Sequence, residues 1–302
     1  MHTSSRVLVL GGSGMLGHKL LQVLAARFTV FATVQTESSR RACLRAVPAT
    51  PPNQILSSVD ATHFESVESV IEAVEPDVVV NCIGIVKQSE AIQSAVPGII
   101  LNALLPHQLA RACAARGTRL IHFSTDCVFS GRGGAYTEGD VPDPVDFYGR
   151  SKLLGELDQA SCLTLRSSIV GWELAHQRSL LGWYSAQRGK RISGYRRAIF
   201  SGLTTTVMAQ LVADLIAQHP SLCGLHHVAS APISKFDLLC GLRDELGWSD
   251  IVIDPDDHVV CDRSLSAHRF QACTGWSAPS WKTMIEGLAR ERPAYESSRR
   301  VQ

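Results

Sequence analysis

The residues best suited to chemistry stand in the middle of the chain. Ser124, Thr125 and Asp126 close one apolar run, and Tyr148 and Lys152 follow with the spacing Tyr-x-x-x-Lys. That spacing is about one helical turn, so both side chains project from one face. A phenol with its ordinary pKa of about 10 is a poor acid–base catalyst at neutral pH. A nearby ammonium favours the phenolate and lowers that value. Thr125, or less favourably Ser124, would hydrogen-bond a substrate carbonyl oxygen, and Tyr148 would deliver a proton as hydride reaches the carbon. Asp126 could serve as an acid beside them. A Tyr-x-x-x-Lys pair alone is more often a surface pair. The hydroxyl-bearing strand end before it and a glycine-rich first turn make catalysis the leading reading.

That first turn is Gly11-Gly12-Ser13-Gly14-Met15-Leu16-Gly17, placed between an apolar run and an amphipathic one. Glycines at Gly11, Gly14 and Gly17 let the backbone turn sharply and approach a pyrophosphate, whose charge meets the helix N-terminus. The bland alternative is an ordinary glycine-rich turn. The spacing differs from G-x-G-x-x-G, which points away from the ordinary two-domain dehydrogenases. After the second strand no carboxylate stands where one would hold an adenosine ribose. Val34, Gln35 and Thr36 occupy that place, the nearest acid is Glu37, and Arg40 and Arg41 follow. This favours a 2′-phosphate, hence NADP(H), with NAD(H) still allowed. Arg40 and Arg41 read nearly as well as solvated loop charges. Asp60, after the third strand, could accept from an adenine amino group or cap the next helix. Asn81, Cys82, Ile83 and Gly84 end the fourth strand beside the expected cofactor path.

The elements that must hold these groups alternate between two periods. Strands are expected over 7–10, 29–34, 54–59, 77–82, 119–124 and 163–168, and helices over 15–24, 64–74, 97–116 and 147–157. Gly117 stops the third of these helices. This predicts an α/β fold with a Rossmann-type, doubly wound parallel sheet covered on both faces. Beyond residue 171 the pattern loosens. Helices are expected at 204–218, 235–246 and 281–290, strands at 224–228 and 251–253, and a frayed polar tail at 297–302. Residues 1–170 are expected to form the dinucleotide-binding domain, completed by elements returning near 200–230. Residues 171–302 would mainly form a smaller α/β substrate lobe.

With 302 residues, 45% of them hydrophobic, the chain can bury a full core. A net charge of +1 with mixed signs gives no footprint for nucleic acid, and no apolar run reaches a membrane span. Nine scattered cysteines without a CxxC argue for free thiols, and no metal-ligand spacing is present. With no signal peptide visible, a cytoplasmic location is expected.

These motifs together resemble the extended short-chain dehydrogenase/reductases, and among them the dTDP-4-dehydrorhamnose reductase family. The resemblance rests on residues 11–17, Val-Val-Asn-Cys (79–82), Leu-Asn-Ala (101–103), Ile-His-Phe-Ser-Thr-Asp-Cys-Val-Phe-Ser-Gly (121–131), Tyr-Gly-Arg-Ser-Lys-Leu-Leu-Gly-Glu (148–156), Leu-Arg-Ser-Ser-Ile-Val-Gly (165–171) and residues 262–266. It implies NAD(P)H-dependent reduction of a 4-keto group on a nucleotide-diphosphate-linked deoxysugar, and a homodimer is compatible with it. It assigns Thr125, Tyr148 and Lys152 to catalysis. It places Gly11, Gly14, Met15, Leu16, Asp60, Cys82, Ile83 and Gly84 along the cofactor, with Asn102 supporting the active-site helix. Arg263 falls in the segment that contacts the sugar nucleotide. The chain departs from the family at Cys127 and Ile169, where aromatics are common, and at Ser264, where proline is expected. Its loop 190–197 is unusually basic, either pairing with the diphosphate or lying solvated on the surface. These departures leave the sugar open. An epimerase or dehydratase on the same site, and a non-catalytic NADP-binding regulatory subunit, are the competing readings. An intact hydroxyl–phenol–ammonium set argues against the regulatory subunit.

Overall fold

The computed structural model describes residues 5–86, 94–175 and 179–299. The chain begins β1 (Arg6–Leu10), α1 (Gly17–Leu24), β2 (Thr29–Thr33), α2 (Glu37–Ala46), β3 (Ile55–Leu56), α3 (Phe64–Val74) and β4 (Val78–Asn81). Next come α4 (Ala95–Gly98), a π-helical segment (Ile99–Leu104), α5 (Leu105–Ala114), β5 (Arg119–Ser124), α6 (Phe147–Leu154) and β6 (Cys162–Arg166). The remainder is β7 (Ile169–Val170), α7 (Leu180–Ser185), β8 (Arg191–Tyr195), β9 (Ala198–Phe200), β10 (Leu203–Thr204), α8 (Thr205–Gln218), β11 (Gly224–His227), β12 (Ile233–Ser234), α9 (Lys235–Glu245), β13 (Val252–Asp256), β14 (Cys261–Asp262), α10 (His268–Thr274) and α11 (Trp281–Arg299).

Seven strands form one parallel sheet in the order β11-β6-β5-β4-β1-β2-β3. This is the doubly wound Rossmann-type arrangement. Val7 and Val9 of β1 face one core with Leu20, Leu21 and Leu24 of α1, while Leu8 and Leu10 face the other with Val67 and Ile71 of α3 and Leu105 and Leu109 of α5. Strand alternation delivers apolar side chains to both faces, and helices cover both. The strand order reverses between β1 and β4. Ligands of such sheets sit there, outside the carboxyl ends of the strands. Register brings those ends level: Leu10 pairs with Asn81, Asn81 with His122, and Ser124 with Arg166.

Several elements differ from expectation. The helix expected over 97–116 contains the π-helical widening before Pro106, which has no N–H to give the Asn102 carbonyl one turn back. The strand expected over 54–59 pairs only at Ile55 and Leu56, because Ser58 turns to a φ of 65°. The last helix runs through Pro293 to Arg299, since Arg292 donates to the Leu246 carbonyl (2.7 Å) and Tyr295 is buried against α1. The tail was expected to fray from 297; the helix includes 297–299, and residues 300–302 lie outside the described residues, as do 1–4 of the polar N-terminus. The basic segment 190–197 is not a loop. Its residues 191–195 form β8, parallel to β13, with Arg191 on Asp254 (2.5 Å) and Arg196 on Asp257. All nine cysteines are free thiols. Among the described residues no helix is long and apolar enough to cross a membrane, and no group of three His, Cys, Asp or Glu side chains could hold a metal.

Candidate active site

Two glycines dock α6 against the sheet edge. A Cβ on Gly149 would lie 2.2 Å from the Cys127 carbonyl oxygen, and one on Gly155 would lie 1.9 Å from that of Asn102. The Asn102 carbonyl can be approached so closely because Pro106 leaves it without its helical donor. Asp146 caps the helix by accepting from the Gly149 N–H at 2.8 Å. Asn102 adds a side-chain clamp: its Nδ2 donates to Ser151 Oγ and to the Ile85 carbonyl, both at 3.0 Å, while its Oδ1 accepts from the Ile85 N–H at 2.8 Å. One buried amide thus ties the active-site helix to the turn after β4.

Docked this way, α6 carries Tyr148 and Lys152 to the end of β5. Thr125 lies beside the Tyr148 phenol and lowers its proton affinity. Its hydroxyl also accepts from the Cys127 N–H at 3.1 Å and donates to Asp126 Oδ1 at 3.2 Å. Lys152 Nζ donates to the Phe123 carbonyl at 2.6 Å. The Ser124 hydroxyl behaves differently. Its proton goes to Glu156 at 2.5 Å, and Glu156 is gripped by Arg166 through two bonds of 2.7 Å. Both hydroxyls give their one proton to a carboxylate, but the 3.2 Å bond from Thr125 to Asp126 is longer than the 2.5 Å bond from Ser124 to Glu156, so the Thr125 proton is the more readily redirected to a substrate.

Burial governs the proton affinities here. It raises the Tyr148 phenol well above its ordinary value, so the hydroxyl keeps its proton at neutral pH. Desolvation is the largest influence on the phenol and outweighs the lowering effect of Thr125. Burial also pushes Lys152 down to about 8, against the pull of Glu156 and Cys82. The Cys127 thiol is pushed up to about 12 by burial and by Asp126, which makes it unreactive.

The glycine-rich turn forms a cradle beside this shelf. Gly11 has a φ of 82°, and a Cβ on Gly17 would meet the Gly11 carbonyl oxygen at 2.1 Å. Gly12, not singled out in the spacing argument, packs against β2, where its Cβ would meet that of Ala32 at 2.8 Å. Cys82 and Ile83 floor the turn, Cys82 donating to the Leu10 carbonyl at 3.0 Å. A cleft opens between Ser13, Gly14 and Met15, Ser39 and Ala42 of α2, and Glu173, Leu174 and Ala175. Gly84 stands further on, against Asn102.

Arg40 and Asp60 lie at the far end of this path, each with local partners. Arg40 donates to the carbonyls of Ile55 (2.8 Å) and Pro52 (2.7 Å) and pairs with Glu37 (3.2 Å). Its guanidinium is thus committed to the loop around β3, and Arg41 is the exposed arginine. Asp60 accepts from the Thr62 N–H (3.0 Å) and hydroxyl (2.8 Å), and these bonds hold its carboxyl below the usual range.

On the substrate side, Arg263 Nε donates to the Phe129 carbonyl at 2.8 Å and Nη1 reaches Cys127 Sγ at 3.6 Å, beside buried Asp126. Ser264, where proline was expected, bonds Asp262 Oδ1 (2.6 Å) and accepts from the Ala135 N–H (2.8 Å), pinning this segment to the loop after β5. Sequence reasoning missed Lys235. It opens α9 behind the N-cap Ser234, lies over the Phe200 ring at 4.1 Å, and feels the charges of Asp126, Cys127 and Cys261. Burial depresses it, and it makes no ion pair among the described residues. A lysine after a capping serine carries no signal of this in the sequence.

The family model described as the RmlD substrate binding domain matches residues 5–179. The chain belongs to this family. It is similar to the probable low-salt glycan biosynthesis reductase Agl14 of Haloferax volcanii, 32% identical over 225 residues that cover 71% of this chain and 74% of that protein. It is also similar to the dTDP-4-dehydrorhamnose reductase of Aggregatibacter actinomycetemcomitans, 25% identical over 260 residues, or 80% of this chain and 79% of that one. Among solved structures, the RmlD-type chain shares its fold with a dTDP-4-dehydrorhamnose reductase of Bacillus anthracis in complex with NADP. The TM-score is 0.77 at 22% identity, covering 95% of this chain and 99% of that one.

Proposed function

We propose that this RmlD-type chain is an NAD(P)H-dependent reductase of a 4-keto group on a nucleotide-diphosphate-linked deoxysugar. The observation that carries the reading is the Thr125–Tyr148–Lys152 set on a glycine-docked helix, level with a glycine cradle at the strand ends. The cradle fits a dinucleotide: Gly11 and Gly17 let main chain pack closer than a Cβ would allow, which forms the tight turn, and Ser13, Gly14 and Met15 line the adjoining cleft. The end of β2 offers the hydroxyls of Thr36 and Ser39 and no unpaired carboxylate, because Glu37 is taken by Arg40 and Ser57. This supports NADPH over NADH. The NADP-bound neighbour agrees with that choice.

When bound, the dihydronicotinamide supplies the hydride. Thr125 orients the ketone oxygen by hydrogen bonding. Tyr148, kept protonated by burial, gives its phenolic proton to that oxygen as the alkoxide charge develops. Lys152, anchored on the Phe123 carbonyl, supplies the positive charge that stabilises the phenolate left behind. Arg263 and Lys235 offer two cations to the substrate's diphosphate beside Asp126. The free thiols suit a reducing compartment, and the cytoplasm is the proposed location.

The test is a panel of 4-keto nucleotide-linked deoxysugars assayed for stoichiometric NADPH consumption, with wild type and Tyr148→Phe. The variant is expected to lose about 10²–10⁴-fold in kcat while holding NADPH nearly as tightly. Normal turnover by Tyr148→Phe, or sugar conversion without NADPH consumption, would overturn the proposal.

A further inference from the structure

His18 is the residue after Gly17, and it is completely buried. The mechanism above makes no use of it. Its Nδ1 lies 2.7 Å from the Gly14 carbonyl oxygen, and its Nε2 lies 2.6 Å from the hydroxyl of Tyr295, 277 residues further along the chain. A carbonyl only accepts, so Nδ1 carries the proton. Nε2 of the neutral ring then accepts from the Tyr295 O–H. Burial holds His18 down to about 4 and raises Tyr295 well above its ordinary value, so both stay neutral at working pH and the direction of the chain is fixed.

Tyr295 is itself held on several sides. Trp172 stacks on its ring at 5.9 Å and donates from Nε1 to the Leu288 carbonyl at 2.9 Å. The ammonium of Lys19 lies 5.3 Å from the ring centre and pairs with Glu291 of the same helix at 3.1 Å. Thr206 of α8 donates to that carboxylate as well.

The consequence falls on one peptide plane. The Gly14 carbonyl accepts from both the His18 ring and the His18 N–H (3.1 Å), so its direction is pinned. In a trans peptide the next N–H points the opposite way. That N–H belongs to Met15, which lines the cleft and has no acceptor among the described residues. It is thus available to an anion at the start of α1.

We propose that His18 is a positioning residue for the dinucleotide loop and that Tyr295 makes the C-terminal helix part of the cofactor site. The phenol selects the imidazole tautomer, the imidazole pins the Gly14 carbonyl, and the pinned carbonyl aims the Met15 N–H at the cofactor's diphosphate. This rests on reading the glycine-rich turn as the dinucleotide site.

The test measures NADPH affinity by fluorescence titration of the full chain, with kcat and the sugar-nucleotide KM measured alongside. Tyr295→Phe is expected to weaken NADPH binding about fivefold, the loss of one hydrogen bond, with kcat at saturating NADPH and the sugar KM within about twofold of wild type. His18→Gln keeps a donor for Gly14 and an acceptor for Tyr295, and is expected to hold NADPH better than His18→Leu. Nitrogen NMR of histidine-labelled protein should find His18 as the neutral Nδ1–H tautomer. Unchanged NADPH affinity in a folded Tyr295→Phe protein, equal losses in the glutamine and leucine variants, or an Nε2–H tautomer would overturn this inference and leave the proposed function standing. A wild-type chain that binds no dinucleotide would end both.

Discussion

The two halves of the candidate site are built by different means. The proposed cofactor half is a backbone construction, in which Gly11, Gly12 and Gly17 let main chain approach main chain, and the donors it would offer a ligand are peptide N–H groups. The substrate half is a side-chain construction. Arg263 and Lys235 come from β14's exit and the start of α9, and they meet Asp126 and Cys127 only through the packing of the smaller lobe. A backbone site fails when an atom is added. A side-chain site weakens by degrees as its members are removed.

The largest effect expected from that contrast is at Gly17. Gly17→Ala would put a Cβ on the Gly11 carbonyl, so the turn must open. NADPH affinity should fall by about 100-fold, roughly 3 kcal/mol, in an equilibrium titration. If the variant bound NADPH normally, the cradle would not be a backbone construction.

The Lys152 step follows in size. Its pKa in the folded chain is about 8, below the ordinary 10.5, so the ammonium is present below pH 8 and is lost as pH rises through it. The kcat/KM for reduction should therefore decline above pH 8, by about tenfold per unit if the charge is essential. In Lys152→Arg that alkaline limb should vanish. Stability moves the other way. The unfolded chain binds the extra proton between 8 and 10.5, so the group's contribution to stability rises with pH across that window.

Lys235→Ala should raise the sugar-nucleotide KM about fivefold, the worth of one charge-assisted bond, and leave NADPH affinity unchanged. An equal loss for both ligands would erase the distinction between the halves. The smallest effect is expected at Arg191. Its pair with Asp254 is solvent-exposed on β8, so Arg191→Ala should change stability by less than about 0.5 kcal/mol and leave the sugar KM alone. A clear rise in KM would return the basic segment to the substrate site.

Much of the frame was legible because it is local and periodic. The apolar runs at β1, β4 and β5 announced a parallel sheet, and the glycine spacing between β1 and α1 announced a tight turn. Tyr148 and Lys152 could be paired because a helix repeats every turn. The signals that failed were non-local. Gly149 and Gly155 sit in a quoted motif, but the carbonyls of Cys127 and Asn102 that demand them lie on other elements. The basic stretch around β8 looked like a loop because its acidic partners stand on β13 and just beyond its end. Asp60 and Arg40 also hold local partners that the spacing argument did not weigh, Thr62 on Asp60 and the carbonyls of Pro52 and Ile55 on Arg40.

The sequence by itself determined the parallel sheet, most of its longer helices, the glycine turn and the phenol–ammonium pair, because each is written in spacings shorter than a few helical turns. Tertiary structure decided which hydroxyl faces the site, where the cations gather, how high the phenol's pKa stands, and that a tyrosine near the end of the chain bonds a histidine near its start. Those outcomes depend on burial and on contacts between distant segments. Desolvation and packing act through space, and sequence distance carries no record of them.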